Sequence, residues 1–161
     1  PNNVLAIASI KKLDFNNNSR ITLVLDSIND PGNLGSILRT CDWFGVNKII
    51  CSESTVDIFS PKVVQSSMGS LFRVDVTYTN LINYLSKINS PIYGAYTDGE
   101  DVGVIMLNDD IHLVMGNEAH GISKKIEDYI GKKISIRNIG GNTDSLNVSI
   151  ATSIILHKLC N

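Results

Sequence analysis

The sequence is poor in cysteine, in positive charge and in long apolar stretches, and each shortage removes a class of protein. Only three cysteines occur in 161 residues, Cys41, Cys51 and Cys160. Their number is odd, none shares C-x-x-C spacing and no histidine stands beside them, so neither a disulfide framework nor a zinc site is indicated and no metal is expected. They read as reduced thiols of a cytoplasmic protein. No apolar run approaches the ~20 residues of a membrane helix, and Pro1-Asn2-Asn3-Val4-Leu5 has no basic stretch ahead of its apolar part, so neither membrane insertion nor export is expected. Lysine and arginine number 14 against 16 acidic residues, a net charge of -2. Bulk coating of nucleic acid is thereby excluded, because phosphate binding is driven by cations displacing counterions; any RNA contact must be local. The pairs Lys11-Lys12, Lys124-Lys125 and Lys132-Lys133 read as solvated faces.

What is present is enough apolar side chain, 43% of residues, for a proper core, and a length suited to one domain spanning residues 1 to 161. Short β-branched runs at Ile21 to Leu25, Lys48 to Cys51, Val74 to Thr77, Ile92 to Ala95, Ile111 to Met115 and Lys133 to Ile136 predict strands. Between them helical spacing appears at Leu34, Ile37, Leu38, Cys41 and Phe44, at Val63 to Met68, at Leu81 to Ile88, and in an amphipathic C-terminal stretch from Val148 to Leu159. This alternation predicts an α/β fold with a mostly parallel sheet. A further strand-like run, Val4 to Ile10, precedes the polar Asn16-Asn17-Asn18-Ser19 loop, which reads as a connection. A start at Pro1 without methionine admits an upstream domain.

In open parallel sheets ligands bind beyond the carboxyl ends of the strands, which directs attention to three loops. The first, Asp26 to Gly35, turns through Asp30-Pro31-Gly32, which turn chemistry explains, and enters the helix holding Arg39. Gly35 and Arg39 are four apart, so the missing side chain at Gly35 is expected to leave room beside the guanidinium, which could reach back toward the strand ends. The alternative is an ordinary surface arginine. The second, Met115-Gly116-Asn117-Glu118-Ala119-His120-Gly121-Ile122-Ser123, has two glycines that let backbone approach a ligand, without the glycine spacing of dinucleotide folds or a phosphate-loop lysine. Ser123 is placed to cap a helix from Lys124 to Tyr129, and His120 reads as a loop histidine. The third runs from Ile136 through Gly140-Gly141 to Ser149. Asp144 or Ser145 would serve as helix N-cap, while Asn147, a poor helix former read as one turn in, has no evident structural duty and is the more suggestive residue.

Together these segments say more than any one alone. Asn33-x-Gly35-x-x-x-Arg39-Thr40, then Gly116-Asn117-Glu118-x-x-Gly121, then Ser145-Leu146-Asn147-Val148-Ser149 resemble, in that order, the three signature motifs of the SpoU (TrmH) family of RNA ribose 2'-O-methyltransferases, within the SPOUT superfamily. The likeness runs from about Ile21 to Leu159 and takes in Ser67-Met68-Gly69-Ser70, which resembles an S-x-G segment of that family.

The resemblance implies an α/β domain whose C-terminal segment forms a deep trefoil knot, although knots are almost absent from proteins at large. It also implies a homodimer, S-adenosylmethionine as cofactor, and rRNA or tRNA as substrate. Carried over by motif, backbone around Gly116, Ile136 and Leu146, with Thr97 in addition, would hold the cofactor. Asn33, Arg39, Glu118, Ser145 and Asn147 would line the reaction site. A guanidinium keeps its protons, so Arg39 is better suited to gripping a phosphate and stabilising oxyanion charge than to acting as base. Two departures stand out: Arg137 occupies a position where the family commonly has proline, and the stretch from Ile136 to Ser145 is one residue longer than usual. The N-terminal RNA-binding domain of many family members has no counterpart in these residues. A noncatalytic RNA-binding module is disfavoured by the intact Arg39, Glu118 and Asn147, and a dinucleotide-dependent oxidoreductase by the missing glycine fingerprint.

Overall fold

A computed structural model describes residues 19–161, so the Val4 to Ile10 run, the Lys11-Lys12 pair and the loop before Ser19 lie outside the described residues. Among the described residues six strands form one sheet: β1 (Ile21–Leu25), β2 (Lys48–Ser52), β3 (Asp75–Thr79), β4 (Ile92–Asp101), β5 (Ile111–Met115) and β6 (Lys132–Ser135). Their order is β3-β2-β1-β5-β4-β6, and every pairing is parallel. Helices α1 (Pro31–Phe44), α2 (Pro61–Ser67), α3 (Leu81–Leu85), α4 (Lys124–Glu127) and α5 (Val148–Leu159) complete the fold, with short 3₁₀ turns at Ser70–Phe72 and Val102–Val104.

The central strands read as nearly continuous apolar runs, broken by Thr22 in β1 and His112 in β5, because both faces of the sheet are covered. Successive side chains point to opposite faces, and β1 divides accordingly. Leu23 and Leu25 join α1 and α5 through Leu34, Ile37, Leu38, Ile155 and Leu156. Val24 turns to the other side and meets Leu81 and Leu85 of α3 and Ile126 of α4. In that second layer His112 of β5 is buried, its ring nitrogens bonded to the Tyr84 hydroxyl at 3.0 Å and the Ser90 hydroxyl at 2.9 Å.

Local chemistry sets the ends of α1. Asp30 accepts from the Asn33 N–H at 2.8 Å, Pro31 occupies the first turn, and Gly45, at φ +69°, closes the helix in the left-handed conformation. So Asp30 is a helix cap as well as a turn residue. Asp42, later in the helix, accepts from Ser70 at 2.7 Å and pairs with Arg73 at 2.7 Å; the guanidinium holds its carboxyl below the usual carboxylate range.

Several expectations are corrected. Strand β4 runs on to Asp101, placing Thr97 inside the strand and not after it. Strand β6 ends at Ser135, leaving Ile136 just beyond it, and α3 and α4 stop short at Leu85 and Glu127. The space at Gly35 is not open to Arg39. A Cβ there would lie 1.9 Å from Ser66 Oγ and 2.8 Å from the Ser67 backbone nitrogen, so the missing side chain admits α2 against α1. The N-cap of α5 is Asn147, not Asp144 or Ser145, so Asn147 does carry a structural duty.

Candidate functional site

Loops following β1, β5 and β6 converge at the carboxyl end of the sheet. After β5 the chain makes a tight return: Asn117 and Gly121 exchange both backbone hydrogen bonds at 2.9 Å, leaving Glu118, Ala119 and His120 at the tip. Gly116 makes the return possible, because a Cβ on it would lie 2.2 Å from the Gly121 carbonyl carbon and the Ile122 nitrogen. Gly121 supplies the left-handed corner at φ +68°. Ser123 has the backbone geometry of an N-cap, yet its hydroxyl caps nothing, and its N–H donates to Asp26 Oδ2 at 2.8 Å.

Three of the predicted site residues form a chain of side-chain hydrogen bonds. Asn147 Nδ2 donates to Asn33 Oδ1 at 2.9 Å, and Asn33 Nδ2 donates to Glu118 Oε1 at 2.8 Å. They come from positions 33, 118 and 147, separated by 85 and by 114 residues in the chain. Both amides are oriented by these bonds, because Asn147 spends its carbonyl oxygen on the Ser149 N–H at 2.9 Å, the Ser149 hydroxyl at 2.7 Å and the Ile150 N–H. Only its NH₂ remains to reach Asn33. The chain of donors ends on the Glu118 carboxylate, a charge-assisted acceptor.

Arg39 lies apart from this chain. Six residues separate it from Asn33, a little over one and a half turns and about 9 Å along the axis at ~1.5 Å per residue. Its side chain is exposed and borders an open hollow of about 360 Å³ between α1 and α5, lined by Ser36, Arg39, Thr40, Trp43, Phe44 and Ser153. Thr40 and Ser153 bond across the helices there at 2.9 Å. Among the described residues neither Asn33 nor Glu118 bonds to Arg39; they bond to each other.

The remaining predicted residues sit on the β4–β6 side. Ile136 is half-buried against the core, whereas every residue from Arg137 to Asn147 is exposed. On that loop Ile139 is 93% and Leu146 48% exposed, a large apolar area for a loop to show to water. Ser145 is exposed, and its side chain makes no hydrogen bond among the described residues. Thr97 is exposed in the outer part of β4. That part of the strand leaves β6 and returns to it, since Ile134 pairs with both Ala95 and Glu100, and Ser135 Oγ donates to the Gly99 carbonyl at 2.7 Å. Among the described residues no group of His, Cys, Asp or Glu is arranged to hold a metal ion, and no helix is long and apolar enough to cross a membrane.

Sequence reading missed Asp26, buried at 4% exposure, and assigned no role to Asn117. The signal for Asn117 was its place beside Glu118 in the second loop; Asp26 offered none beyond following a strand.

The model of the SpoU rRNA methylase family matches residues 20–157, which contain all three loops. The chain belongs to this family. Among its relatives is the 23S rRNA guanosine 2'-O-methyltransferase RlmP of Bacillus subtilis, 30% identical over 145 residues, covering 88% of this chain and 58% of that protein. A TrmH-family structure from Porphyromonas gingivalis superposes with a TM-score of 0.80 at 41% identity, covering 86% of this chain and 58% of that one. An AdoMet-bound rRNA methyltransferase from Sinorhizobium meliloti matches with a TM-score of 0.80 at 33% identity, over 86% of this chain and 54% of its own. The chain thus spans a little over half the length of these SpoU-family relatives.

Proposed function

We propose that this chain is the catalytic unit of an RNA ribose 2'-O-methyltransferase that uses S-adenosylmethionine and acts as a homodimer on rRNA or tRNA in the cytoplasm. The observation that carries the reading is the hydrogen-bonded chain Asn147–Asn33–Glu118, which joins one residue from each of the three family motifs at the carboxyl end of a parallel sheet. Relatives named as rRNA 2'-O-methyltransferases and solved with AdoMet support the same chemistry.

The residues present fit the cofactor. Ile139 and Leu146 are exposed apolar side chains available to a base, on a loop from Arg137 to Leu146 that is exposed throughout. Backbone around Gly116, Ile136 and Leu146, with Thr97 on the facing strand, would hold the group. When bound, S-adenosylmethionine supplies an electrophilic methyl on a sulfonium sulfur. The protein's task is then to align a ribose 2'-hydroxyl and accommodate the loss of its proton. Alignment alone contributes up to about 7 to 11 kcal/mol in well-oriented reactions. Asn33 and Glu118, fixed against each other, present a carboxylate and an amide to orient the ribose, and Asn147 holds Asn33. Ser145, with its hydroxyl uncommitted, is available to the substrate. Arg39, exposed on α1, grips an adjacent phosphate and stabilises the developing oxyanion, while water or another group takes the proton.

The trefoil knot is supported by the double pairing of Ile134 and by the path of the chain afterwards, from edge strand β6 back across the sheet ends to pack α5 on α1. The homodimer is supported by Trp43, 84% exposed beside the hollow between α1 and α5, where a second copy would cover it. The cytoplasm suits three free thiols, of which burial pushes Cys51 up to about 12 and Cys41 higher still.

Calorimetric titration with S-adenosylmethionine and S-adenosylhomocysteine, on wild type and on Leu146→Arg, tests the reading. Binding by wild type and none by a folded Leu146→Arg protein is the expected result; no binding by folded wild type would overturn it.

A further inference from the structure

Glu118 stands at the tip of a loop that its own backbone bridge closes but does not aim. Two polar residues outside the Asn147–Asn33–Glu118 chain do the aiming. The Asn117 amide donates from Nδ2 to the Ser27 carbonyl at 2.7 Å, and its Oδ1 accepts from the Ala119 N–H at 2.9 Å and the His120 N–H at 3.2 Å. One side chain therefore shapes the tip around Glu118 and ties its base to the segment leading to Asn33. On the far side of the return, Asp26 Oδ2 accepts from the Ser123 N–H at 2.8 Å, while its other oxygen accepts from the Ser27 hydroxyl at 3.2 Å. The Asp26 N–H continues the β1–β5 ladder to the Met115 carbonyl at 2.9 Å. Both ends of the 116–123 loop are thus tied to two adjacent residues, 26 and 27.

The receiving segment is itself held out of the ordinary. Ser27 sits at φ +60°, a left-handed conformation uncommon outside glycine, asparagine and aspartate. Its N–H is taken by Ser52 Oγ at 2.9 Å and its carbonyl by Asn117. Backbone in such a region persists where its surroundings over-determine it, and here the surroundings include the loop that carries Glu118.

We infer that Asn117, assisted by Asp26, is a positioning residue that sets Glu118 against Asn33 by cross-tying the loops after β5 and β1. Neither residue touches the proposed substrate; they act through the Glu118–Asn33 bond. The kinetic consequence rests on the proposed methyl transfer, but the positioning itself does not.

The decisive variant is Asn117→Asp, which keeps an oxygen for the Ala119 and His120 amides and replaces the donor to Ser27 by a second acceptor. Asn117→Ser, which retains an oxygen for the turn but is too short to reach Ser27, is the second variant and carries the same expectation. The first readout needs neither cofactor nor RNA. In the free protein the Asn33 side-chain NH₂ resonances, assigned with Asn33→Ala, are followed by NMR, and the response read is the shift that Glu118→Gln produces in each background. Both Asn117 variants should reduce that shift at least threefold. A wild-type response in a folded Asn117 variant would overturn the inference. Asp26→Asn, which keeps one oxygen for the Ser123 N–H, should retain most of the response, whereas Asp26→Ala should lose it. In turnover with S-adenosylmethionine and ribosomal RNA, the Asn117 variants should lose at least tenfold in kcat with KM for RNA within threefold. Loss confined to KM would also overturn it. If wild type neither binds the cofactor nor methylates RNA, the functional proposal fails while the NMR result still decides the positioning role.

Discussion

Asn147 carries two duties on the two ends of one amide, and a pair of substitutions separates them. Its oxygen caps α5 and its nitrogen donates to Asn33. Asn147→Asp keeps the oxygen acceptors, and the gain of a carboxylate from the helix dipole, about 0.3 to 1 kcal/mol, offsets the loss of the exposed bond to Asn33, so stability should remain within about 1 kcal/mol of wild type. Asn147→Ala removes the cap and should cost about 1 kcal/mol, with a range of roughly 0.5 to 2. For a domain of this size that lowers Tm by about 2 to 4 °C. Activity should not follow stability. In Asn147→Asp the lost donor is replaced by a carboxylate facing the Asn33 carbonyl oxygen, with the Glu118 carboxylate one bond further on. With Asn33 no longer held for the ribose, a loss of about 1.4 to 2.7 kcal/mol of transition-state alignment is expected, so transfer of tritiated methyl from S-adenosylmethionine to ribosomal RNA should fall by about ten- to a hundredfold. Thermal melts and initial rates on the same preparations check both parts. An Asp variant as unstable as the Ala variant would refute the cap assignment, and one with full activity would refute the role of the amide nitrogen.

Gly35→Ala should destabilise strongly and expose α2 to proteolysis, because its Cβ would lie 2.8 Å from the Ser67 backbone nitrogen, which no rotamer change relieves; a protease protection profile equal to wild type would count against that packing. Gly116→Ala, whose Cβ would fall 2.2 Å from backbone atoms of the returning loop, should abolish the Asn117–Gly121 bridge, seen as fast amide exchange at Gly121. His112 is held below its ordinary value by burial and then by the nearby Lys48 charge, so the fold favours the neutral ring. With the folded value lower than the unfolded one, stability is undiminished above about pH 6.5 and declines as the pH falls through the unfolded and then the folded value. Denaturant midpoints measured from pH 7.5 to 5 should show this decline, and His112→Gln should flatten it. Trp43→Glu should shift the protein toward monomer in sedimentation velocity, and an unchanged dimer would move the proposed interface elsewhere.

The central strands were legible because their apolar runs are buried on both faces, and β1 and β5 begin and end where the predicted runs Ile21 to Leu25 and Ile111 to Met115 do. Helices that pack a long stripe, α1 and α5, were legible for the same reason. The short α3 and α4 end early because beyond Leu85 and Glu127 the chain tightens into i→i−3 turns, with Lys87 and Ile88 donating to Tyr84 and Leu85, and Tyr129 and Ile130 to Ile126 and Glu127, and apolar residues at helical spacing do not reveal that change. Strand β4 outran its expected end because what continues it, Gly99-Glu100-Asp101, is polar and held by β6 rather than by an apolar pattern of its own; a Cβ at Gly99 would meet the Ile134 backbone at 2.5 Å.

The sequence by itself determined the alternating α/β order and the three loops at strand ends, because side-chain period and residue type are local properties, and it marked Asn147 as unusual; Asn33 and Glu118 became candidates through the resemblance to the SpoU motifs. Only the tertiary structure decided which of them meet. Asn147 as cap and donor at once, Gly35 as a seat for α2, Arg39 standing apart from Asn33 and Glu118, and Asp26 with Asn117 as the ties beneath the site all depend on contacts between residues far apart in the chain. A sequence pattern records what each side chain can donate, accept or exclude; which partner it finds is set by the strand order that brings β1 beside β5.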